Sequence, residues 1–150
     1  MKPTITRKES ASIFRAGCFS MKALIASAKK NITIIAEGPN ADVAVSANPF
    51  AKMVALGDRI NITAGGFIYD SDTPTMLEPT NFAASVITMV AGQGIGTKAA
   101  SDPVNDPIDM DADVFNGRTT TGAIVVNDND DLIVTGATSG GGNIAITTAN

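Results

Sequence analysis

From Asn31 onward the chain reads as short apolar, mostly β-branched runs separated by clusters of polar turn formers, the pattern of strands and tight connections. Residues 32–36 (Ile-Thr-Ile-Ile-Ala) predict a strand, stopped by Glu37, Gly38, Pro39 and Asn40. Val43 to Val45 predict another, broken by Asn48-Pro49. Runs at 52–56 and 59–63 flank Gly57-Asp58, a pair suited to a two-residue hairpin turn. Gly65-Gly66 precedes a short strand at 67–69, and 70–80 is a loop. Residues 82–91 fit a buried strand or a short helix, and their β-branched content favours strand. Gly92 to Pro107 reads as a long surface excursion.

The last forty residues are patterned most clearly. Asn116-Gly117 signals a hairpin; 123–126 and 132–134 bracket an acidic loop at 127–131; Gly136 to Gly142 is a flexible link; and 143–147 alternates as a final strand. Strands about ten residues apart with polar turns predict a small antiparallel sandwich or barrel. Asn31-Ile-Thr-Ile, Asn61-Ile-Thr-Ala and Asn143-Ile-Ala-Ile look alike, but their spacings of 30 and 82 define no period, so we take them as similar strand starts.

Residues 1–30 have a different pattern. Residues 4–20 alternate poorly, and Met21 to Lys30 reads as a short helix with Leu24, Ile25 and Ala28 on one face. Ten residues are too few for a stable isolated helix, so this segment needs a surface to lie on.

Composition supports the β reading, with sixteen Ile, ten Val and sixteen Thr against four Leu, three Glu and one Gln. Charge divides the chain in two. Residues 1–30 hold seven of the eleven basic side chains and one acid, about +6, while 31–150 hold four basic residues and fourteen acids, about −10. The expected organisation is a basic N-terminal arm, 1–30, on an acidic β domain, 31–150.

Several functional classes are disfavoured. Without His, most transition-metal sites and most neutral-pH general-base chemistry lose their usual residue. With no Trp and one Tyr, a binding face of stacked aromatics is hard to assemble. Cys18 is the only cysteine, which rules out an intrachain disulfide; it is expected to be a small buried apolar residue. Arg15 and Lys22 interrupt the early apolar stretch, and no run approaches the roughly twenty residues of a membrane span, so the chain reads as soluble and unprocessed.

Candidate sites are few. Asp109, Asp111 and Asp113 carry carboxylates at alternate positions, a weak Ca²⁺ candidate if they lie in a loop; on a strand they would line its wet face. The EF-hand pattern fails at its sixth and twelfth positions, Val114 and Thr120. The 127–131 loop reads as turn chemistry. Gly92 to Lys98 fits neither phosphate-loop spacing, and Asp72-Thr73-Pro74 is not an aspartic-protease triplet. No catalytic residue, cofactor or firm metal site is assigned, and the chain reads as non-enzymatic.

The basic arm remains as the candidate binding element. Lys2, Arg7, Lys8 and Arg15 would make charge contacts, and Ile13, Phe14 and Phe19 would fill apolar pockets on an acidic protein partner. Nucleic acid is disfavoured because the body's negative charge repels a polyanion. No membrane partner is expected.

Ala, Gly, Thr and Asn make up 63 of the 150 residues. In this small-side-chain, turn-dense style the whole chain resembles small virion proteins of tailed bacteriophages, head decoration or cement proteins in particular. The resemblance implies a structural protein of the virion, assembled in the host cytoplasm: a β-rich homo-oligomer, often trimeric, whose arm docks on a major capsid protein lattice and stabilises it. Two rivals stay open: an adhesin-like or tail/fibre binding module that uses its Gly/Asp-rich loops, and a nucleic-acid-associated structural protein.

Overall fold

The architecture is that of a computed structural model, which describes residues 12–20, 25–27, 31–45, 53–71, 80–96, 98 and 107–149; for 12–16, 19–20, 25–27, 56 and 57 it describes the backbone alone. Thirteen strands form one sheet, with no helix among the described residues. They are β1 (Ser12–Ala16), β2 (Phe19–Ser20), β3 (Ile25–Ser27), β4 (Ile32–Ala36), β5 (Val43–Val45), β6 (Met53–Ala64) and β7 (Phe67–Asp70). β8 (Phe82–Ala91), β9 (Gly94–Ile95), β10 (Ile108–Thr119), β11 (Ile124–Asp128), β12 (Ile133–Thr138) and β13 (Ile144–Thr148) complete the set.

Every pairing is parallel, which overturns the expected antiparallel sandwich or barrel. Two lines of strands run side by side: β1-β4-β6-β8-β10-β12, and β2-β5-β7-β9-β11-β13. The start of β10 also pairs with the end of β11, and that link nearly closes the sheet into a barrel-like wall. Parallel neighbours cannot be joined by a tight hairpin and need a crossover. Here the crossover is the other strand line. The chain runs along one line, turns a corner, runs along the other, and returns one strand spacing further on, about 4.8 Å. The result is a parallel β-solenoid, in which each rung lies on the one before it.

The period behind the coil is one of burial. Ile32, Ile60, Ile87 and Phe115 pair in turn, 28, 27 and 28 residues apart, all with no exposed surface. Val43, Ile68, Ile95 and Ile124 make a second such row, and Met53, Phe82 and Met110 a third. Rows of Ala (Ala36, Ala64, Ala91; Ala55, Ala84, Ala112) fill the narrower places. Each large row member is worth roughly 1.5–3 kcal/mol relative to exposure. The similar segments at Asn31 and Asn61 are not equivalent rung positions, since Thr33, not Asn31, pairs with Asn61.

Two expected hairpins are absent because their turn residues are absorbed into strands. Gly57-Asp58 lies inside β6, where the three residues between Ala55 and Arg59 face the single residue between Ala84 and Val86, an irregularity that bulges the strand. Asn116-Gly117 lies inside β10, paired with Thr88 and Met89. The helix expected over 21–30 is a strand at 25–27, paired with Met53 to Ala55; its other residues lie outside those described. Cys18, expected to be buried, is exposed between β1 and β2.

Candidate functional site

The proposed arm residues fall at one end of the coil. Ile13, Phe14 and Arg15 are in β1, which pairs in register with β4, and Phe19 is in β2, which pairs with β5. Lys2, Arg7 and Lys8 lie outside the described residues. The backbone of 12–20 therefore continues the first rung.

Asp109, Asp111 and Asp113 are on β10, not in a loop. They alternate with buried Met110 and Ala112, so Asp111 and Asp113 face solvent and Asp109 is half-buried. Carboxylates two residues apart on a strand stand about 7 Å apart along one face, too splayed to wrap a cation. Among the described residues no group of three carboxylate, His or Cys side chains is placed to hold a metal.

The structure reveals a polar seam that the sequence did not disclose. Asn81, buried at the entry to β8, joins three successive rungs. Its N–H donates to the Asp109 carbonyl (2.8 Å), and its own carbonyl accepts from Met53 N (2.9 Å). Its side chain accepts from Asp109 N at 2.8 Å and donates to Asp70 Oδ2 at 2.6 Å. A buried amide with partners on every side costs little and fixes register; unpartnered, it would be expensive. Asn127 continues the seam by donating to Asp109 Oδ1 at 3.3 Å.

Asp128, buried where β11 ends, is the electrostatically unusual group. Its carboxylate accepts backbone N–H bonds from Ala112 (3.1 Å) and Asp130 (3.2 Å), yet burial outweighs them and pushes its pKa up to about 6. The acidic loop is thus less open than it looked: Asp128 is inward, while Asp130 and Asp131 are exposed. A pKa raised in the folded state means that the native protein binds a proton before the unfolded chain does. This stabilisation is complete below the ordinary value near 3.8 and is lost as pH rises through about 6. Asp128→Asn is therefore expected to improve relative to the parent chain as pH rises from 4 to 7, read as the difference between their thermal midpoints. A difference that does not change with pH would mean that the carboxylate carries no desolvation penalty.

On the outer side, Lys98 straps the second strand line. Its Nζ lies 3.4 Å from Asp42 Oδ2, donates to the Tyr69 hydroxyl at 3.2 Å, and sits 4.6 Å over the Tyr69 ring. The hydrogen bond to Tyr69, with Asp42 adding to it, raises the pKa of this lysine against a smaller opposing effect of burial. Asp42 in turn accepts from Phe67 N at 2.8 Å. Gly92 to Lys98, read as loop, contains β9.

The remaining feature is the last rung. Val134 pairs with Phe115 and Ile144 with Ile124, so both extend core rows, but they are 43% and 44% exposed; Ile133 is 64% exposed. Only Leu132 and Ile146 pack partly against the core. Among the described residues no further strand covers the apolar rows at this rung.

These groups suit cohesion and contact: amides, backbone bonds and apolar rows, with polar side chains spent on tying rungs together. A parallel β-solenoid with one exposed apolar rung is the class that fold and site define. No family model, no curated protein and no solved structure matches the chain.

Proposed function

We propose that the chain is a non-enzymatic structural protein, a rigid element that joins a larger protein assembly by adhesion. Its composition favours a virion surface, where a decoration or cement protein braces a capsid lattice. The observation that supports this most is the use of its polar chemistry: Asn81, Asp70, Asp109, Asn127 and Lys98 all bond across rungs, making the body stiff and leaving its ends for attachment. A stiff body loses little entropy on docking, and many copies convert weak contacts into durable attachment.

The stacked rungs favour one second reading, a fibre- or adhesin-type binding module. Removal of residues 2–11 separates the two, because it takes away Lys2, Arg7 and Lys8 but stops before β1. Full-length and truncated chains, made in the cells that build the assemblies, are compared by co-sedimentation with large particles. The decoration reading expects the full chain to pellet and the truncated chain to stay in the supernatant. Equal pelleting of both removes the arm from the mechanism. If the truncated chain still pellets and Asp130→Ala/Asp131→Ala releases it, the fibre or adhesin reading takes over.

A further inference from the structure

We propose that the exposed rung of β12 and β13 is the docking surface for the basic N-terminal end of a second copy, so that copies stack head to tail with their coils in line. This inference rests on the adhesion reading and names its acidic protein partner as the chain itself.

The strand edges come first. Among the described residues, β12 pairs only with β10 and β13 only with β11, while at the other end β1 pairs only with β4 and β2 only with β5. The last rung thus presents the edges of β12 and β13, and the first rung those of β1, β2 and β3, the last of which pairs only with β6, with backbone groups that another strand can meet. All pairings within each line are parallel. A second copy placed further along the coil axis therefore offers β1 to β12 and β2 to β13 in the direction each line already runs. In this geometry one copy continues the sheet of the next, as β-augmentation does for a peptide.

The apolar rows give the contact its content. Val134 and Ile144 extend the rows of Phe115 and Ile124, and their exposed area is what a further rung would cover. Repeat proteins need a polar cap over such a terminus to stay apart, and this rung carries Ile133, Val134 and Ile144 instead. In β1, Phe14 pairs with Ile34 and so occupies the register position of the Ile34, Ile62 and Met89 row.

Charge selects the polarity of stacking. Residues 1–30 carry about +6, whereas residues 119–150 carry no basic residue and three acids, the inward Asp128 and the exposed Asp130 and Asp131. Tail-to-tail contact would set acid against acid, and head-to-head contact base against base. Only head-to-tail contact brings opposite charge together, which speeds encounter and suppresses the wrong pairing. Such an interface is heterologous and does not close on itself, so it yields linear oligomers and not a dimer of fixed size.

The test uses the purified chain and two variants, each blocked at one end. Ile133→Lys/Ile144→Lys alters exposed positions of the last rung, and Lys2→Glu/Arg7→Glu/Lys8→Glu alters the segment before β1. Circular dichroism and thermal melting first confirm that each variant folds like the parent; one that does not is replaced by Val134→Lys or by removal of residues 2–8. Mass is then followed against concentration by sedimentation equilibrium. The parent is expected to grow without a plateau in low salt, with association weakened at least about tenfold in 1 M salt, where the Debye length is about 3 Å. Each variant alone is expected to stay monomeric, and an equimolar mixture to give one-to-one dimers, because one intact head then meets one intact tail. A parent that is monomeric at every concentration, that stops at a dimer, or that elongates despite a blocked end overturns the inference, as does a mixture that stays monomeric. The outcome is separable from the co-sedimentation result, since a chain that is monomeric when pure can still pellet with particles made of other proteins.

Discussion

Gly92→Ala is expected to cost about 3 kcal/mol or more, and Gly92→Val to prevent folding. Gly92 stands at the corner after β8, and its N–H donates to the Ala64 carbonyl one rung below at 2.9 Å. A methyl group added there would lie 2.9 Å from the Gly65 carbonyl carbon and closer still to its oxygen. The obstacle is backbone, held in place by the rung beneath, so it cannot swing aside as a side chain would. Gly65 has the same relation to Gly38 one rung earlier, which makes the corner a stack of residues without side chains. The control is Gly17→Ala, where an added Cβ meets nothing within 4 Å and the expected change is within about 0.5 kcal/mol. Urea midpoints for the two variants measure the contrast. Equal, small shifts would show that the corners are not in contact.

Phe115→Ala is expected to destabilise the protein by about 3–5 kcal/mol. Phe115 has no exposed surface and lies between Ile87 and Val134 in the central row. Its ring also fills the space that a side chain at Gly117 would occupy: a Cβ there would be 2.6 Å from the ring Cζ. Because residue 117 is glycine, it has no side chain of its own to fill the void. In a solenoid the damage should concentrate in neighbouring rungs, since each rung contacts mainly the next. Amide hydrogen exchange should therefore rise most in β8, β10 and β12, and least in β4. A loss under about 1.5 kcal/mol would mean that the row is not close-packed at Phe115.

Most strands were legible one at a time. The runs at 32–36, 43–45, 82–91, 123–126 and 143–147 all lie on or within a residue of observed strands, because β-branched stretches between polar breaks carry the signal locally. Parallel stacking was not legible. Asn116-Gly117 and Gly57-Asp58 have hairpin chemistry, but Gly117 is held in a strand by its pairing with Met89 and Ala137, and Gly57-Asp58 is accommodated as a bulge against β8. The period of 27–28 residues was hidden because rungs share burial and not identity: Ile60, Ile87 and Phe115 are equivalent in place, whereas the look-alike segments at Asn31 and Asn61 are not. The seam of Asp70 and Asn81 was equally hidden, because neither residue type shows which distant rung it will bond. An Asn after a proline-rich loop gives no sign that three rungs converge on it.

The sequence by itself determined that this is a sheet-forming chain with its charge divided between a basic beginning and an acidic remainder. Both follow from residue type alone: β-branched side chains favour extended backbone, and formal charge does not depend on fold. Only the tertiary structure decided that the strands run parallel, that polar groups meet across rungs, and that Ile133, Val134 and Ile144 end the apolar rows uncovered. The physical reason is range. Strand formation is settled within a few residues, whereas direction and register are settled by which side chains, some 28 positions apart, can share one buried row.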